Sequence, residues 1–448
     1  MNYIEAREYM KGVQKSGIRL GLERMKELMQ LLNNPQDKVK TIHVAGTNGK
    51  GSTINYIATI LTANGYMTGR YTSPAVEDVR EQYVIDGSWI SEDDYVEYVT
   101  RMKTVVDRMC AIHMQTDEAY EAPTAFEIET AMAFLYFYEK GCDYLVLETG
   151  MGGREDATNV LSNTCVEVFT SIAEDHIGMI GNNLTEIART KAGIIKEESR
   201  VVLQCNSTEV IDVIRQECDC KNAELTVIDR TDVILHDHKD GIRSFDYGDY
   251  KNISLKQKGS YQVDNAVLAL ETIDTLCSAD AELVIDKSKT KQALCNASWP
   301  YRMECISDEP LFYLDGAHNP DAALRLRESI EEEYKGYKLI FIIGMFKDKD
   351  YRQVIRIMCP LATDIIAVET PRSPRALPRD VLKGTIADGI SETNAELNSL
   401  KAMDVEDAVG YAIKLAKAYE TGGERSMILA FGSLSYIALV KKILNNNG

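Results

Sequence analysis

The chain has 448 residues, of which 45% are apolar, and its formal net charge is −19 because 69 acidic residues outnumber 50 basic ones. This length predicts two domains, and the apolar fraction is enough for two cores. The acidic balance argues against a general nucleic-acid or anionic-membrane surface.

The composition also bears on location. The 10 cysteines are scattered without C-x-x-C pairs, which is typical of a reducing compartment. The N-terminus, M-N-Y-I-E-A-R-E-Y-M, is charged and lacks the apolar core of a signal peptide. The longest apolar stretches, 131–138 and 339–346, are too short to cross a bilayer. We therefore expect a cytoplasmic protein that binds neither membranes nor nucleic acids.

Apolar strands alternate with helical periods along the chain, which predicts α/β domains with parallel sheets and crossover helices. The predicted strands span 42–45, 144–148, 166–171, 201–204, 311–314, 339–343, 365–368 and 427–430. The predicted helices span 54–64, 91–109, 124–139, 184–196, 264–276, 320–334 and 405–418. Residues 232–253 favour an antiparallel hairpin that turns at Asp240 and Gly241. A break at Trp299 and Pro300 favours domains 1–297 and 298–448.

Residues 41–56, T-I-H-V-A-G-T-N-G-K-G-S-T-I-N-Y, give a short strand, a glycine-rich loop with one lysine, and the start of a helix. Backbone N–H groups at such a helix start can surround a phosphate, and Lys50 adds a full positive charge. The spacing differs from G-x-x-x-x-G-K-[ST], since Val44 occupies the first glycine position and Gly51 follows the lysine. We predict a nucleoside triphosphate site, with a plain strand-to-helix turn as the alternative. Its phosphate-binding residues are Gly46, Thr47, Asn48, Gly49, Lys50, Gly51 and Ser52.

Polar side chains follow three other predicted strand ends. Glu148 ends one strand, Asp175 and His176 come a few residues after another, and Ser73 follows Tyr71. Ligands of open parallel sheets lie beyond the carboxyl ends of the strands. Ser, Glu and His oxygens and nitrogens beside a triphosphate suit Mg²⁺, which takes few protein ligands. A solvated acid at position 148 and a structural histidine at 176 are the alternatives.

Further segments carry a resemblance to a known family. They read L-G-L-E-R (20–24), H-V-A-G-T-N-G-K-G-S (43–52), Y-T-S-P (71–74), P-T-A-F-E (123–127), L-E-T-G-M-G-G-R-E-D-A-T-N-V (147–160), E-D-H-I-G (174–178), E-I-A-R-T-K-A-G-I-I-K (186–196), Y-Q-V-D-N-A (261–266), R-M-E (302–304), L-D-G-A-H-N-P (314–320), F-K-D-K-D (346–350) and P-R-S-P-R-A-L-P (371–378). In this order they resemble the folylpolyglutamate synthase/dihydrofolate synthase family of the Mur ligase superfamily.

The resemblance implies a P-loop-type parallel-sheet ATPase domain (1–297), the Mur-ligase-type central domain. A smaller Rossmann-like α/β domain (298–448) follows it, with ATP between the two. The implied activity is ATP-dependent addition of L-glutamate to a reduced folate through an acyl phosphate. Whether dihydropteroate is also an acceptor stays open. The implied partners are small molecules (ATP, glutamate and the folate), and a monomer is expected.

The resemblance also implies roles for individual residues. Ser73 and Glu148 would hold one Mg²⁺, and His176 a second. Lys191 matches the lysine that this family carbamylates, with a surface lysine as the alternative. Asn265 would reach the base, Arg302 the phosphates, and Asp315 and His318 the nucleotide, with Lys50, Lys191 and His318 catalytic. Asn319 could instead simply cap a helix. The folate-binding residues implied are Gly21, Leu22, Thr124, Phe126, Glu127, Glu155, Asp156 and Ala157.

The chain departs from the family pattern at a few positions. Ala75 and Glu155 lie near the segments expected to hold the pterin, so they concern the acceptor and not ATP. Tyr261 and Tyr301 replace residues usual beside Gln262 and Arg302.

A cell-wall Mur-type ligase is a second hypothesis for the function. The phosphate loop argues against it, because this loop starts only about 45 residues into the chain and leaves little room for a preceding domain. A non-catalytic folate- or ATP-binding paralogue is a third.

Overall fold

The computed structural model of the protein describes residues 1–14, 17, 19–113, 120–204, 206–236, 241–371, 373–393 and 395–447. The chain divides into two compact units. The first comprises Met1–Ile234, Asp246–Ile253 and Asp264–Leu294, and the second Leu235–Phe245, Ser254–Val263 and Cys295–Gly448. The domain limits 1–297 and 298–448 stay a prediction beside this division. In the described part of the chain, no helix has the length and apolar content needed to cross a membrane.

The first unit contains an eight-stranded sheet in the order β4-β3-β2-β5-β1-β6-β7-β8. Its strands are β1 (Lys40–Ala45), β2 (Thr68–Tyr71), β3 (Tyr83–Ile85), β4 (Ser88–Trp89), β5 (Tyr144–Glu148), β6 (Val166–Phe169), β7 (Arg200–Leu203) and β8 (Glu224–Val227). The run from β2 to β8 is parallel, and β3 and β4 add an antiparallel edge. The central strands are buried on both faces, which is why they read as continuous apolar runs.

Helices precede, separate and follow these strands along the chain. They are α1 (Tyr3–Gln14), α2 (Glu23–Leu31), α3 (Lys50–Ala63), α4 (Glu92–His113), α5 (Ala125–Glu139), α6 (Leu184–Ala192), α7 (Thr208–Cys220), α8 (Tyr261–Ala279) and α9 (Lys287–Asn296). Helix α5 is apolar almost all round and packs inside the main cluster of buried side chains of this unit. Strands β9 (Val233–Leu235), β10 (Arg243–Tyr247) and β11 (Tyr250–Leu255) form a small sheet in the order β11-β10-β9. The predicted turn at Asp240 falls outside the described residues.

The second unit contains a six-stranded sheet in the order β12-β13-β17-β14-β15-β16, parallel except for the β12–β13 edge pair. Its strands are β12 (Glu304–Asp308), β13 (Leu311–Asp315), β14 (Lys338–Ile343), β15 (Asp364–Val368), β16 (Ser399–Met403) and β17 (Ser426–Phe431). Its helices are α10 (Pro320–Glu333), α11 (Tyr351–Met358), α12 (Arg379–Thr393), α13 (Val405–Thr421) and α14 (Leu434–Asn447). Two α/β units with mostly parallel sheets confirm the predicted fold class.

The topology of the first unit brings the predicted residues to one edge of the sheet. Strands β2, β5, β1 and β6 are consecutive neighbours and all parallel. Their carboxyl ends therefore lie side by side. The segments that leave these ends carry Ser73, Glu148, the phosphate loop and His176.

A buried ion-pair cluster stabilises the second unit. The Arg243 guanidinium is almost buried and donates to Glu332 at 2.9 Å and to Glu333 at 2.7 Å. Both acids end α10, where the helix dipole disfavours negative charge, so Arg243 neutralises an otherwise unfavourable arrangement. Lys258 lies 3.6 Å from Glu333 and supplies a second cation.

We expect Arg243→Ala to lower the free energy of unfolding by roughly 2–3 kcal/mol, because it leaves a buried carboxylate with only one cation. Urea denaturation of the full chain measures the change. Arg325→Ala is the matched control, since Arg325 pairs with Glu328 on the exposed side of the same helix and should change stability by less than about 0.5 kcal/mol. Equal effects of the two substitutions would contradict the importance of the cluster.

Candidate active site

The phosphate loop between β1 and α3 fits tightly against its neighbours. Gly46 and Gly49 have φ angles of +149° and +90°. A Cβ atom on Gly46 would lie 1.8 Å from the Thr170 hydroxyl oxygen, and one on Gly49 would lie 2.5 Å from the Asn265 side-chain oxygen. Space and backbone conformation therefore both require glycine here. The loop leads directly into the N-terminus of α3, an arrangement suited to an oxyanion.

Two lysines meet at one carbonyl oxygen of this loop. Lys50 Nζ donates to the Gly46 oxygen at 3.2 Å and lies 3.7 Å from Glu148 Oε1. Lys191 Nζ, from α6, donates to the same Gly46 oxygen at 2.8 Å. Burial, together with the nearby Lys50 charge, lowers the pKa of Lys191 to about 7. A lowered pKa makes the neutral amine of Lys191 more accessible near neutral pH than that of an ordinary lysine.

Glu148 and Ser73 are adjacent. Glu148 ends β5, is 7% exposed, and accepts a hydrogen bond from the Ser73 backbone N–H at 3.0 Å. Within the described ranges, no group of three or more His, Cys, Asp or Glu side chains has the arrangement of a complete metal site. Mg²⁺ does not need one, because phosphate oxygens and water complete its shell. The nearly buried carboxylate beside the phosphate loop therefore fits a hard cation that also binds phosphate.

His176 lies on the loop that follows β6. Its side chain is exposed, and its Nε2 atom is 3.8 Å from Asp175 Oδ2. The same loop contacts the phosphate loop, since the Thr47 backbone N–H donates to the Ser171 carbonyl at 2.6 Å. Asp175 is close enough to Lys191 for its negative charge to act on that lysine. It acts to raise the pKa of Lys191, but burial lowers this pKa by more. The loop that carries His176 thus contacts the phosphate loop, and the metal role of His176 stays a prediction.

A cavity of about 400 Å³ opens in the first unit next to these residues. It includes seven of the predicted folate-binding residues: Gly21, Thr124, Phe126, Glu127, Glu155, Asp156 and Ala157. Leu22, predicted with them, is not among the lining residues and precedes α2. Ser73 and Pro74 also line the cavity, so its wall continues to the residue that contacts Glu148.

Two of these residues are engaged by the fold. The Thr124 hydroxyl accepts from the Glu127 backbone N–H at 3.3 Å, and Glu127 accepts from the Thr124 N–H at 2.7 Å, which is a capping box at the start of α5. Arg24 donates to both oxygens of Glu127, at 3.1 and 3.2 Å. The side chains of Thr124 and Glu127 therefore shape the cavity wall primarily by fixing where α5 begins.

Asp156 is held by a buried network. It accepts from the Met151 backbone N–H at 2.7 Å and from the Thr158 hydroxyl at 2.5 Å. Burial raises the pKa of Asp156 against the effect of these bonds. His43 Nε2, on β1, lies 2.9 Å from the Thr158 oxygen and 3.1 Å from that of Thr149. Because Thr158 donates to Asp156, His43 donates to Thr158 through Nε2–H.

In the second unit, Asp315 accepts three hydrogen bonds. They come from the Tyr261 hydroxyl at 3.0 Å, the Met303 backbone N–H at 2.9 Å and the Ala317 backbone N–H at 2.8 Å. Asp315 is 2% exposed, and burial raises its pKa while Arg302 acts to lower it. Tyr261, which departs from the family pattern, thus contacts a predicted site residue.

Arg302, His318 and Asn319 lie around the turn after β13. Arg302 donates to the Tyr301 carbonyl at 2.9 Å, and His318 Nδ1 donates to the Gly316 carbonyl at 2.8 Å. Asn319 caps α10 by accepting from the Ala322 backbone N–H at 2.9 Å, as its position before Pro320 suggests. The structure therefore gathers Arg302, Asp315 and His318 within the second unit, and their nucleotide roles stay predictions.

Sequence reasoning missed several residues that line the cavity. Arg19, Gln82, Glu129 and Met151 are the clearest. Glu129 follows Phe126 by three positions on α5, so helical spacing from a predicted residue could have found it. Gln82 offers no such signal, because a short 3-10 helix and β3 bring it to the cavity from a distant part of the sequence.

Comparisons with known proteins agree with this arrangement. The Mur ligase middle domain matches residues 44–273, and the Mur ligase glutamate ligase domain matches residues 301–434. A dihydrofolate synthase/folylpolyglutamate synthase from Bacillus subtilis is 32% identical over 99% of each chain. A folylpolyglutamate synthase from Lacticaseibacillus casei is 32% identical over 84% of this chain and 88% of its own.

A solved structure agrees as well. The Mycobacterium tuberculosis folylpolyglutamate synthase complexed with ADP and AMPPCP matches with a TM-score of 0.88 at 28% identity, over 99% of each chain. The chain therefore belongs to the Mur ligase superfamily, and within it to the folylpolyglutamate synthase/dihydrofolate synthase family.

The His43 network predicts a pH-dependent contribution to stability. Burial, with a smaller effect of Lys196, lowers the pKa of His43 from 6.5 to about 3. Between these values the unfolded chain binds a proton that the folded chain does not, so His43 makes stability fall as the pH drops below 6.5, by about 1.4 kcal/mol per pH unit at most. Above pH 6.5 its contribution is constant.

We expect His43→Gln, which keeps an N–H donor, to weaken this dependence. Urea unfolding at pH 5, 6, 7 and 8 should show that wild type and variant differ by a constant amount at pH 7 and 8. Below that range the wild type should lose stability faster. Parallel curves at all four pH values would show that His43 is not buried as a neutral group.

Proposed function

We propose that the protein is an ATP-dependent ligase that adds L-glutamate to a folate. One observation carries the proposal. Ser73 lines the 400 Å³ cavity and also contacts Glu148, which lies 3.7 Å from Lys50 of the phosphate loop. A cavity for a ring-containing acceptor and a site for phosphate thus share a wall, as a reaction between an acceptor and ATP requires.

The relatives support the identity of the substrates. The M. tuberculosis synthase is complexed with ADP and AMPPCP, which supports ATP as the ligand of residues 46–52. The B. subtilis and L. casei relatives are named for folylpolyglutamate synthesis, and the former also for dihydrofolate synthesis. Folates and dihydropteroate are therefore the acceptors to test.

The reaction has two steps. The acceptor carboxylate attacks the γ-phosphorus of ATP, the bond to the bridging oxygen breaks, and ADP leaves with the electron pair. The unprotonated amine of glutamate then attacks the acyl phosphate carbon, phosphate leaves, and the new amide nitrogen loses its proton. The chain's residues must hold two anions together and exclude water, because an acyl phosphate hydrolyses.

The residues of the phosphate loop suit this task. Lys50 would turn from its loop carbonyls to the phosphates, where a full charge offsets the growing negative charge of phosphoryl transfer. Glu148 and Ser73 would hold Mg²⁺, with His176 at a second ion. Bound Mg²⁺ would neutralise phosphate charge. We propose that Asn265 contacts the base, Arg302 the phosphates, and Asp315 and His318 the nucleotide.

The experiment that tests the proposal measures phosphate release with ATP, Mg²⁺ and glutamate. The acceptors are tetrahydrofolate, 5,10-methylene-tetrahydrofolate, dihydropteroate and a muramoyl nucleotide. We expect turnover with at least one folate and none with the muramoyl nucleotide. Lys50→Ala should abolish turnover. Turnover with the sugar nucleotide would favour a cell-wall ligase, and no turnover with any acceptor would favour a non-catalytic paralogue.

We propose that Lys191 is carbamylated. Addition of CO₂ requires a neutral amine, and burial lowers the pKa of Lys191 to about 7. The lysine lies within hydrogen-bond distance of the phosphate loop. Its carbamate would replace one of two neighbouring cations by an anion able to orient the metal and phosphate groups.

We therefore expect Lys191→Ala to lose at least about 100-fold in phosphate release, the scale on which one electrostatic group in an active site acts. Acetate or formate should restore part of this loss by occupying the place of the carbamate. Lys50→Ala is the control, because a carboxylate cannot replace its cation. An equal lack of rescue in both variants would argue that Lys191 acts as an unmodified amine.

A further inference from the structure

The polar side chains that line the cavity fall into two groups. Asp156, Thr124 and Glu127 are held by donors of the fold itself. The carboxylate of Glu129, in contrast, accepts no hydrogen bond and forms no ion pair with any residue in the described ranges, although it lines the same cavity. The Oε1 atom of Gln82, which also lines it, is buried without a hydrogen-bond partner among the described residues.

No neighbouring side chain in the described ranges donates a hydrogen bond to the Glu129 carboxylate. It stands one turn after Phe126 on α5, so both side chains face the cavity. The nearest groups from the packed elements are the phenols Tyr71 on β2, Tyr83 on β3 and Tyr95 on α4. The Tyr83 hydroxyl donates to the Glu129 backbone carbonyl instead, at 3.2 Å.

A carboxyl group in this position is unfavourable in the protein alone. Burial raises the pKa of Glu129 to about 7, because an apolar setting without a cation disfavours the charged form. Another acid on the same helix, Glu139, is satisfied by Arg101 and by the Tyr98 hydroxyl. An acid kept only for the fold would be expected to have partners of that kind. No residue in the described ranges satisfies these acceptor atoms, and they lie on the wall of a cavity that a ligand can enter.

We propose that Glu129 and Gln82 are the specificity-determining residues that bind the N–H edge of the acceptor's ring. The ligand class is a fused aminopyrimidinone, in which an exocyclic amino group and a ring N–H lie side by side. The two oxygens of a carboxylate match that pair, and the Gln82 amide oxygen can accept from a further N–H once its side chain turns toward the cavity. This inference rests on the proposed function and assigns the head group to the part of the cavity wall that Glu129 forms.

The acceptor's carboxylate end then has a defined direction. Ser73 and Pro74, which line the same cavity, lead to Glu148 and Lys50. A ring held at Glu129 would leave its tail free to extend toward the phosphate loop. Glu129 and Gln82 would therefore set which ring is accepted, without touching the reacting atoms.

The test compares Glu129→Gln and Gln82→Met with the wild type in equilibrium binding and in KM. Tetrahydrofolate is the full ligand, and p-aminobenzoylglutamate is the probe that has the tail but no pteridine ring. We expect the tetrahydrofolate Kd and KM to rise roughly 10- to 100-fold, the usual effect of losing charge-assisted hydrogen bonds. The KM for ATP and the binding of p-aminobenzoylglutamate should stay within about twofold.

Two further readouts separate this role from a structural one. Glu139→Gln is the matched control on the same helix, and it should leave tetrahydrofolate binding unchanged. Glu129→Met should keep or raise the Tm, because an acid without partners is replaced by an apolar side chain of similar size. A structural acid would instead lower the Tm when replaced.

The pH dependence gives a signature of Glu129 itself. Tetrahydrofolate affinity of the wild type should rise between pH 6 and 8 as Glu129 loses its proton, and Glu129→Gln should remove that rise. The other charged groups that line the cavity are Arg19, Glu127, Glu155 and Asp156. These groups and the three tyrosines packed near Glu129 all remain in the variant.

The possible failures are distinguishable. No turnover of any folate by the wild type would overturn the proposed function and this inference with it. Wild-type turnover combined with an unchanged tetrahydrofolate Kd in both Glu129→Gln and Gln82→Met would overturn the assignment of the head group alone. Equal weakening of tetrahydrofolate and p-aminobenzoylglutamate would overturn it too, since the residues would then act on the tail or on the whole cavity.

Discussion

The candidate active site depends on one crowded oxygen, the carbonyl of Gly46, which accepts hydrogen bonds from both Lys50 and Lys191. Burial, together with the smaller effect of the Lys50 charge, lowers the pKa of Lys191 and favours its neutral form. Lys191 is 5% exposed, while the Lys50 side chain keeps contact with Glu148. The glycine loop makes this geometry available, because Thr170 leaves no room for a side chain at position 46. A phosphate would relieve the crowding by drawing Lys50 away.

The sheet order explains how distant segments reach this point. Residues 73, 148 and 176 are far apart in sequence, yet they follow parallel strands that neighbour β1. The cap of α5 has a similar effect on the cavity. Thr124, Glu127 and Arg24 fix the start of that helix, and this in turn sets the direction of Phe126 and Glu129. The fold uses some polar residues to set the position of others.

Strands β1 and β5 could be predicted because they are buried on both faces and are therefore continuously apolar. Strand β2 lies between β3 and β5 but was missed, because its sequence T-G-R-Y gives no apolar run. Edge strands β8, β12 and β16 were not predicted, because few or none of their residues are buried and the apolar pattern in their sequences is weak. The phosphate loop was predictable because strand, glycines, lysine and helix are contiguous. The T-A-F-E segment was interpreted as folate-binding, although its spacing is also a capping-box signal. Gln82 was unpredictable because only the folded chain brings it to the cavity.

Residues of one site can thus be grouped by whether the fold itself supplies their hydrogen-bond partners. Asp156 is held by donors from its own loop and, through Thr158, by His43, so its geometry is set before any ligand arrives. No described residue gives Glu129 such support, and a partly buried carboxylate without a partner raises the free energy of the unliganded protein. A protein retains an unfavourable group where a ligand offsets its cost, because the same group then rejects ligands that lack the matching donors. In the proposed reaction, preorganised residues such as Asp156 would therefore define where the acceptor lies, and Glu129 would define which acceptor is bound.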